Sequence, residues 1–464
     1  MPDLAQPTST APPRSPEART TRPGATLAVT SAATAVALMN YTAPMLTLPE
    51  MTAAFGTPAS AQAWLLNGTP LGLAVLLLVA GSLADDYGRR RVFLAGTLAL
   101  GVTTGAVAFT DSTLTFTLAR IAQGAASAAI LASSLGLLVH AYPAGSARIR
   151  ATGVWGAFVS AGIAVGPLLA GVLGTVDWRL TYDALALAAL ATGAVAFRTL
   201  TESRASRGGR PDLPGALTLG LSLTALLTAL TLGRDGWLRA PVGLLASASL
   251  ALLAIFVLIE RRSTAPMIDL HLFRRPLFLA SSSGALFTGL AVIGLFSYLP
   301  ALLQRGKGIS PLDSAWMFLL WSGTAFVVAL QTRRLAGRVA ARHQLALGFV
   351  LSAAGVLMML GTVSGPGAWL RLLPGLAVAG VGSGLLNAAL PRLAVESVPP
   401  ERAAMGSGAN NTARYIGSSA GVALTIAVAT AGANTALVVS AGLSLLGAVA
   451  ALAFRSRRTT GASG

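Results

Sequence analysis

The sequence has no cysteine, only three histidines and few charged residues. The absence of cysteine excludes disulfides, Cys-ligated zinc and thiol catalysis. The histidines are far apart, so we expect no metal site and no cofactor. Charged residues make up 11% of the chain, against about 25% in a soluble domain. A soluble protein of this length could not cover its surface with so few polar groups, which favours a membrane protein.

Apolar residues are abundant, at 54% of the chain. A helix that spans a bilayer needs about 20 mostly apolar residues, and the sequence contains about fourteen such runs. This pattern predicts an all-α integral membrane protein with a lipid bilayer as its partner. The predicted spans are residues 26–48, 62–82, 92–110, 115–139, 150–175, 180–197, 215–233, 240–259, 277–303, 314–332, 344–364, 370–391, 403–432 and 434–454.

The net charge of +17 comes from basic residues that lie in short clusters between the apolar runs. They have no aromatic interleaving, which argues against nucleic-acid binding. With the N-terminus inside, 24 basic residues fall on inner segments and six on outer ones. The positive-inside rule therefore predicts a multi-pass protein of the cell membrane with both termini cytoplasmic.

Polar segments divide the chain into predicted domains. These are a disordered tail (1–24), a six-helix bundle (25–198), a linker with two extra helices (199–276), a second six-helix bundle (277–454) and a tail (455–464). The two bundles show a faint repeat. Leu83-Ala84 with Arg90 recurs 252 residues further on, and Arg120 with Gly124 recurs 251 residues further on. Duplicated halves around a central site are typical of transporters.

The strongest motif follows the second predicted span. Gly81, Asp85, Gly88, Arg89 and Arg90 occur with the spacing Gly, Leu-Ala-Asp, Gly, basic pair. This segment resembles the cytoplasmic signature of the major facilitator superfamily. The resemblance implies a conformational latch, in which Asp85 accepts hydrogen bonds from arginine and from the start of a helix.

A second motif lies within the fourth predicted span. Arg120, followed by Gln123 and Gly124, resembles the superfamily's fourth-helix motif, in which arginine is linked to proton movement. Because Arg120 is about five residues from the outer end of its helix, it could instead extend to the lipid headgroups.

The fifth predicted span contains glycines at close spacing and a proline. Such glycines form a smooth face for a neighbouring helix, and a proline kinks its own helix. The pattern resembles the fifth-helix motif of superfamily exporters and favours export over uptake. Its residues are Gly162, Gly166, Pro167 and Gly171.

Other segments extend the resemblance to residues 30–454. They include Trp178-Arg179, the stretch from Pro266 to Phe273, and Asn411 with Arg414. With the central extra helices, they resemble the fourteen-helix drug:proton antiporter group. That group implies a major facilitator fold of two six-helix bundles plus two central helices.

The first predicted span departs from that group. The group has a membrane aspartate at the position of Asn40. An asparagine can hydrogen-bond a substrate but cannot carry a proton at physiological pH, so Asn40 is a candidate coupling or substrate residue while proton coupling through it is in question. Asp183 is the remaining carboxylate clearly within a predicted span. It could form a proton or substrate site, or an interfacial pair with Arg179 four residues earlier.

The remaining candidate residues have simpler structural interpretations. Glu50, Glu260 and Glu396 occur at predicted helix ends and are expected to be solvated. The tryptophans Trp64, Trp316 and Trp321 could lie at the membrane interface or line a cavity.

These observations predict a monomeric secondary transporter that exports small amphipathic molecules by alternating access, with a proton as counter-ion. A facilitator or importer of a small metabolite, and a non-transporting membrane sensor on the same scaffold, are alternatives. An enzyme is not expected, because the sequence contains no nucleophile–base pair, metal cluster or phosphate loop.

Overall fold

The structure is a computed structural model that describes residues 22–58, 61–204, 212–233, 236–263, 266, 268–307, 309–335, 338–363 and 369–454. Throughout these residues the regular structure is helical. The helices are α1 (Pro23–Thr42), α2 (Pro44–Phe55), α3 (Gln62–Tyr87), α4 (Arg89–Gly105), α5 (Thr113–Ala141), α6 (Ser146–Leu173), α7 (Arg179–Thr199), α8 (Leu213–Leu232), α9 (Ala240–Arg262), α10 (Pro276–Phe287), α11 (Gly294–Lys307), α12 (Pro311–Gln331), α13 (Ala341–Met358), α14 (Leu373–Glu396), α15 (Ala403–Ala429) and α16 (Ala433–Ala453).

Helices occur at all fourteen predicted positions, and within the described residues twelve are long and apolar enough to cross a membrane. The two that fall outside this set are the α1–α2 pair and α15. Both α1 and α15 carry many small polar residues and are largely buried by other helices. A helix surrounded by protein needs no continuous apolar face toward lipid, which explains their lower hydropathy.

The lipid-facing side of the protein is clearest at α9. Only 17% of its most apolar window is buried, and Leu244, Leu250 and Leu258 are exposed. This helix packs mainly against α8, which in turn contacts α3 and α15. The two helices between the predicted bundles therefore lie at the periphery.

Two predicted spans have irregular backbone. The first divides at Ala43, where Pro44 begins α2, because proline supplies no N–H for the preceding turn. The ninth contains a π-helical segment, Thr288–Ile293, between α10 and α11. Gly289 in that segment packs directly on the α15 backbone, where a Cβ would collide with the Arg414 carbonyl oxygen.

The helices before α8 contact those after α9 along several lines. On one side α3 and α5 pack against α15, and on the other α6 packs against α12 and α14. Ser322 donates a hydrogen bond to the Ser160 carbonyl oxygen at 2.7 Å, and Ser407 donates to that of Leu131 at 3.2 Å. The interface between the two groups therefore contains buried polar contacts.

Some details differ from the sequence predictions. The N-terminal tail was predicted to end at residue 24, but α1 begins at Pro23 because proline is favoured in a first helical turn. Glu260 is buried, not solvated, and it accepts a hydrogen bond from the Ile268 backbone N–H at 3.3 Å. Beyond α9 the chain folds back and covers Glu260. Residues 1–21 and 455–464 of the predicted tails lie outside the described residues.

Candidate functional site

The predicted latch centres on Asp85, which is fully buried near the end of α3. Its Oδ1 lies 2.8 Å from Arg89 Nη2 and accepts a hydrogen bond from Arg89 Nε at 2.9 Å. The backbone N–H of Met405 donates a hydrogen bond to Asp85 Oδ2 at 2.9 Å, and that of Ala404 donates to Oδ1 at 3.4 Å. These amides belong to the first turn of α15, where N–H groups lack helical acceptors. We call Asp85, Arg89, Ala404 and Met405 the Asp85 cluster.

Arg89 extends this contact across the interface. Its Nη2 donates to the carbonyl oxygens of Pro400 at 3.1 Å and Glu401 at 3.0 Å, and its Nη1 donates to that of Gly136 at 3.3 Å. The side chain is only 4% exposed. The guanidinium therefore joins α4 and α5 to the segment that leads into α15.

The two glycines of the motif allow this geometry. Gly81 packs on the start of α15, where a Cβ would approach the Ala404 carbonyl oxygen at 2.5 Å. Gly88 ends α3 with φ of +125°, a conformation that side chains disfavour. A Cβ at Gly88 would also lie 2.7 Å from the Glu202 carboxylate.

Arg90 is placed differently from the prediction. It does not contact Asp85 in the described structure, but donates to the Phe197 carbonyl oxygen at 2.7 Å and stacks on the Phe197 ring. Glu202 accepts hydrogen bonds from the backbone N–H of Arg90 at 3.1 Å and of Arg91 at 3.2 Å. Glu202 thus caps the start of α4, a role that its position in a polar linker did not indicate.

Arg120 is fully buried in α5, so it does not extend to the headgroups. Its Nη1 donates to the Asn40 side-chain oxygen at 2.7 Å, the Asn40 carbonyl oxygen at 2.8 Å and Gln123 Oε1 at 2.7 Å. Asn40 in turn donates to Thr104 Oγ1 at 2.9 Å. The structure therefore brings together two of the predicted coupling residues, and every acceptor in this group is neutral.

The glycine motif of α6 faces α1 and α2. A Cβ at Gly162 would lie 2.5 Å from the Ala35 carbonyl oxygen, and one at Gly166 would collide with the Thr42 hydroxyl. Gly171 is less crowded and lies near Leu46. Pro167 is buried inside α6, where it removes one backbone donor. Small residues at this spacing allow the two helices to pack at close range.

Asp183 lies in the first turns of α7 and is partly exposed. The predicted pair with Arg179 is not formed in the described structure. The Arg179 guanidinium instead stacks on the Trp178 ring at 4.5 Å. The neighbouring Tyr182 is fully buried, with its hydroxyl 3.4 Å from Thr47 Oγ1.

A second polar group crosses the centre of the interface. Arg414 of α15 donates to Asn387 Oδ1 at 3.0 Å, and Asn387 donates to Ser160 Oγ at 2.8 Å. Asn411, the other predicted residue of this helix, donates to the Ser407 carbonyl oxygen of its own helix at 3.0 Å. Asn387 and Ser160 were missed because nothing local in the sequence marks them.

The central cavity lies beside these groups and has a volume of about 30 Å³. Tyr41 from one side and Tyr415 from the other meet edge to face at 5.9 Å, and Trp321 stacks on Phe296 at 4.2 Å. Pockets for drug-sized ligands measure about 300–1,000 Å³. In this conformation the helices before α8 and those after α9, which we call the two halves, enclose too little space between them for such a ligand. Of the predicted tryptophans, Trp321 lines the cavity and Trp316 is 57% exposed.

Comparison with known proteins gives a consistent result. Residues 30–422 match the Major Facilitator Superfamily. The chain is 33% identical over 385 residues to the multidrug resistance protein Stp of Mycobacterium tuberculosis (strain CDC 1551 / Oshkosh), covering 81% of this chain and 70% of that protein. It is 32% identical over 416 residues to the probable actinorhodin transporter of Streptomyces coelicolor, covering 86% and 71%.

Two more matches extend this picture. The tetracenomycin C resistance and export protein of Streptomyces glaucescens is 33% identical over 374 residues, covering 78% of this chain and 67% of that protein. Among solved structures, the human organic anion transporter MFSD10 (TETRAN) superposes with a TM-score of 0.66 at 18% identity. That match covers 93% of this chain and 99% of the other, and it shows a shared fold.

Proposed function

The chain belongs to the Major Facilitator Superfamily, and we propose that it exports small amphipathic molecules from the cytoplasm by alternating access. The relatives are named as antibiotic or multidrug resistance and export proteins. The single observation that carries the proposal is the Asp85 cluster, in which one buried carboxylate joins α3 and α4 to the start of α15. The sensor alternative gives no reason for a closable contact at one end of the interface that encloses the cavity.

The cluster acts as a latch at one end of the protein. Its hydrogen bonds hold the two groups of helices together at the Asp85 end, which we propose faces the cytoplasm. The cavity is nearly closed in this conformation. Breaking the cluster allows the groups to separate and the cavity to open inward. A contact that exists in only one of two states biases their populations by its own free energy.

The glycine motif of α6, which lies at the contact with α1, is the reason for favouring export over uptake. Gly162 and Gly166 bring α6 onto α1 beside the cavity, and Leu38, Thr42 and Ile163 of these helices line it. This glycine motif resembles the fifth-helix motif of superfamily exporters, and that resemblance favours export. A facilitator or importer remains the second candidate, because the geometry of a closed cavity does not define a direction.

We propose fourteen spans. The twelve apolar helices are joined by the α1–α2 pair and by α15, which pack among them and face protein over much of their length. The six-helix bundles at 25–198 and 277–454, with α8 and α9 between them, follow from this count. Both termini are then cytoplasmic, and the protein acts as a monomer.

The energy source is proposed to be a proton gradient, with Asp183 as the carrier. Asn40 lies against Arg120 where the family has an acid, so that position cannot titrate. Asp183 lies within a spanning helix, is partly exposed and has no hydrogen-bond or ion-pair partner in the described structure. A carboxylate with access to water can exchange its proton with the outside.

The test uses an efflux-deficient bacterial host that expresses the chain. We expect lower intracellular accumulation of at least one of the compounds for which four relatives are named: tetracenomycin C, puromycin, methylenomycin A and cephamycin. Asp85→Asn should reduce the export rate at least about tenfold and so raise accumulation toward the level without the protein, because losing about 1.4 kcal/mol of latch energy shifts a population ratio about tenfold.

Asp111→Asn is the matched control. It removes the same charge from an exposed residue between α4 and α5 and should leave export unchanged. Membrane levels of all variants are measured by immunoblot. Unchanged accumulation of all four compounds, with the protein present in the membrane, contradicts the proposed function and favours the sensor alternative.

A further inference from the structure

The central cavity has an unbalanced charge. Arg414 is the one charged side chain among its described lining residues, which include no carboxylate. Carboxylates of the described chain pair with arginine elsewhere, at Asp85, Glu202 and Glu396. The cavity therefore carries a positive charge that no acidic side chain beside it neutralises.

Arg414 also retains hydrogen-bonding capacity. Its Nη2 donates to the neutral amide oxygen of Asn387 at 3.0 Å, whereas its buried Nε has no acceptor. A guanidinium has five N–H donors in a planar fork that fits a carboxylate in two parallel hydrogen bonds. Because Arg414 lines the cavity, its unused donors are available to a ligand there.

A second buried guanidinium adds to this charge. Arg120 is held entirely by neutral oxygens, and its Nε likewise has no acceptor. Tyr41 connects the two sites, because its carbonyl oxygen accepts from Arg120 at 3.3 Å and its ring contacts Tyr415, next to Arg414. Among the described residues no acid contacts either arginine. Two such cations near one interface favour an anionic ligand between the two groups of helices.

The rest of the lining is suited to an aromatic or aliphatic body. Phe296, Phe318, Trp321 and Tyr415 line the same cavity as Arg414. We propose that the substrates of this transporter are amphipathic organic acids that enter when the cavity opens. The carboxylate then binds Arg414 and the apolar part packs on these rings. This inference rests on the proposed function and names its substrate class.

The test compares two ligands that share one ring system and differ in charge and by one methyl group. Anthraquinone-2-carboxylate and its methyl ester share one planar ring system, and equilibrium binding to the purified full chain in detergent micelles is measured by calorimetry. We expect the acid to bind at least tenfold more tightly than the ester. Arg414→Gln should remove this preference by weakening the acid at least tenfold while leaving the ester within twofold.

Two variants isolate the role of Arg414. Arg414→Lys keeps the charge without the fork and should retain part of the preference. Arg262→Gln removes an equal charge from an exposed residue at the end of α9 and should leave both affinities unchanged. Loss of ester binding in Arg414→Gln would show that this variant does not fold, and Arg414→Lys is then the deciding variant. An unchanged preference of Arg414→Lys for the acid over the ester contradicts a role for the paired N–H donors of the Arg414 guanidinium.

Several outcomes overturn the inference. Equal affinities for the acid and the ester would do so, and so would the absence of binding by both. An equal loss of acid affinity in Arg262→Gln and Arg414→Gln would also do so, because it would show that the overall positive charge attracts the acid. Competition by phosphatidylglycerol but not by free carboxylates would assign the site to lipid. Export from cells without a preference for acids leaves the proposed function standing. Selective binding of acids without export leaves this site standing and contradicts the function.

Discussion

At the scale of single residues, two buried arginines and one half-buried arginine are stabilised in three ways. Arg89 pairs with a carboxylate, Arg120 is surrounded by neutral oxygens, and Arg414 donates to one amide. An arginine at the centre of a membrane helix costs about 2.5–3.5 kcal/mol on insertion scales. Each of these partners therefore matters for stability, and the loss of a partner should be measurable.

We expect Asn40→Leu to destabilise the protein by about 3 kcal/mol, because it removes one of the two side-chain acceptors that Arg120 Nη1 contacts at 2.7 Å. Asn40→Asp should match or exceed the wild type. The carboxylate forms a charge-assisted bond with Arg120, and the Thr104 hydroxyl can turn to donate to it. Thermal unfolding in detergent, followed by size-exclusion fluorescence, measures both changes.

Asn434→Leu is the matched control for this pair. Asn434 is exposed and accepts one hydrogen bond from the Gly361 backbone N–H at 2.9 Å. Its loss should shift the unfolding temperature little. Equal shifts for Asn40→Leu and Asn434→Leu would show that Arg120 does not depend on Asn40.

At the scale of helices, close backbone contact defines the interfaces around the cavity. Gly166 of α6 lies against α1, with the Met39 carbonyl oxygen 2.6 Å from where a Cβ would be. That oxygen belongs to the backbone and cannot move aside without shifting α1. The contact is therefore rigid, and added volume must change the helix spacing.

Gly166→Ala is expected to destabilise the protein by about 1–3 kcal/mol, the usual cost of overpacking a well-packed interior. Gly442→Ala in α16 is the comparison, since no atom lies within 4 Å of its added methyl group. It should be neutral or slightly stabilising, because alanine favours a helix more than glycine does. The same thermal assay reads out both, and equal effects would argue against the α1–α6 contact.

The sequence predicted the position of nearly every helix, because the apolar runs match membrane thickness. It did not predict the break at Ala43 or the π-helical segment at 288–293, which depend on contacts with other helices. It identified Asp85 and Arg120 but not their partners. Met405 is 320 residues from Asp85, and Asn40 is 80 residues from Arg120, so only the folded chain reveals these contacts.

At the scale of the whole molecule, the orientation in the membrane remains a prediction from charge. Ser146 and Thr175 lie at opposite ends of α6, and both are exposed. The chain has no cysteine, so single cysteine variants report without background. Ser146→Cys should react with a membrane-impermeant maleimide only from the cytoplasmic side, and Thr175→Cys only from the outer side. Reaction of both from one side would overturn α6 as a span, and a reversed pattern would overturn the proposed direction.

Active transport distinguishes an exporter from a facilitator, since a facilitator can only equalise concentrations. The compound that the chain exports most strongly from cells is followed in vesicles containing the purified protein and an imposed pH gradient. The wild type, Asp85→Asn and Asp183→Asn are compared at equal protein content. We expect the wild type alone to accumulate the compound above its outside concentration. Asp183→Asn should still allow exchange down a gradient, because asparagine keeps the shape and hydrogen-bonding capacity of the side chain but cannot titrate.

The wild-type trace in these vesicles is the most direct test of the central claim. Accumulation that rises with the pH gradient and collapses when a protonophore is added is the result that proton-driven export predicts. Equilibration that stops at equal concentrations, with or without the gradient, contradicts active export and leaves the facilitator in its place.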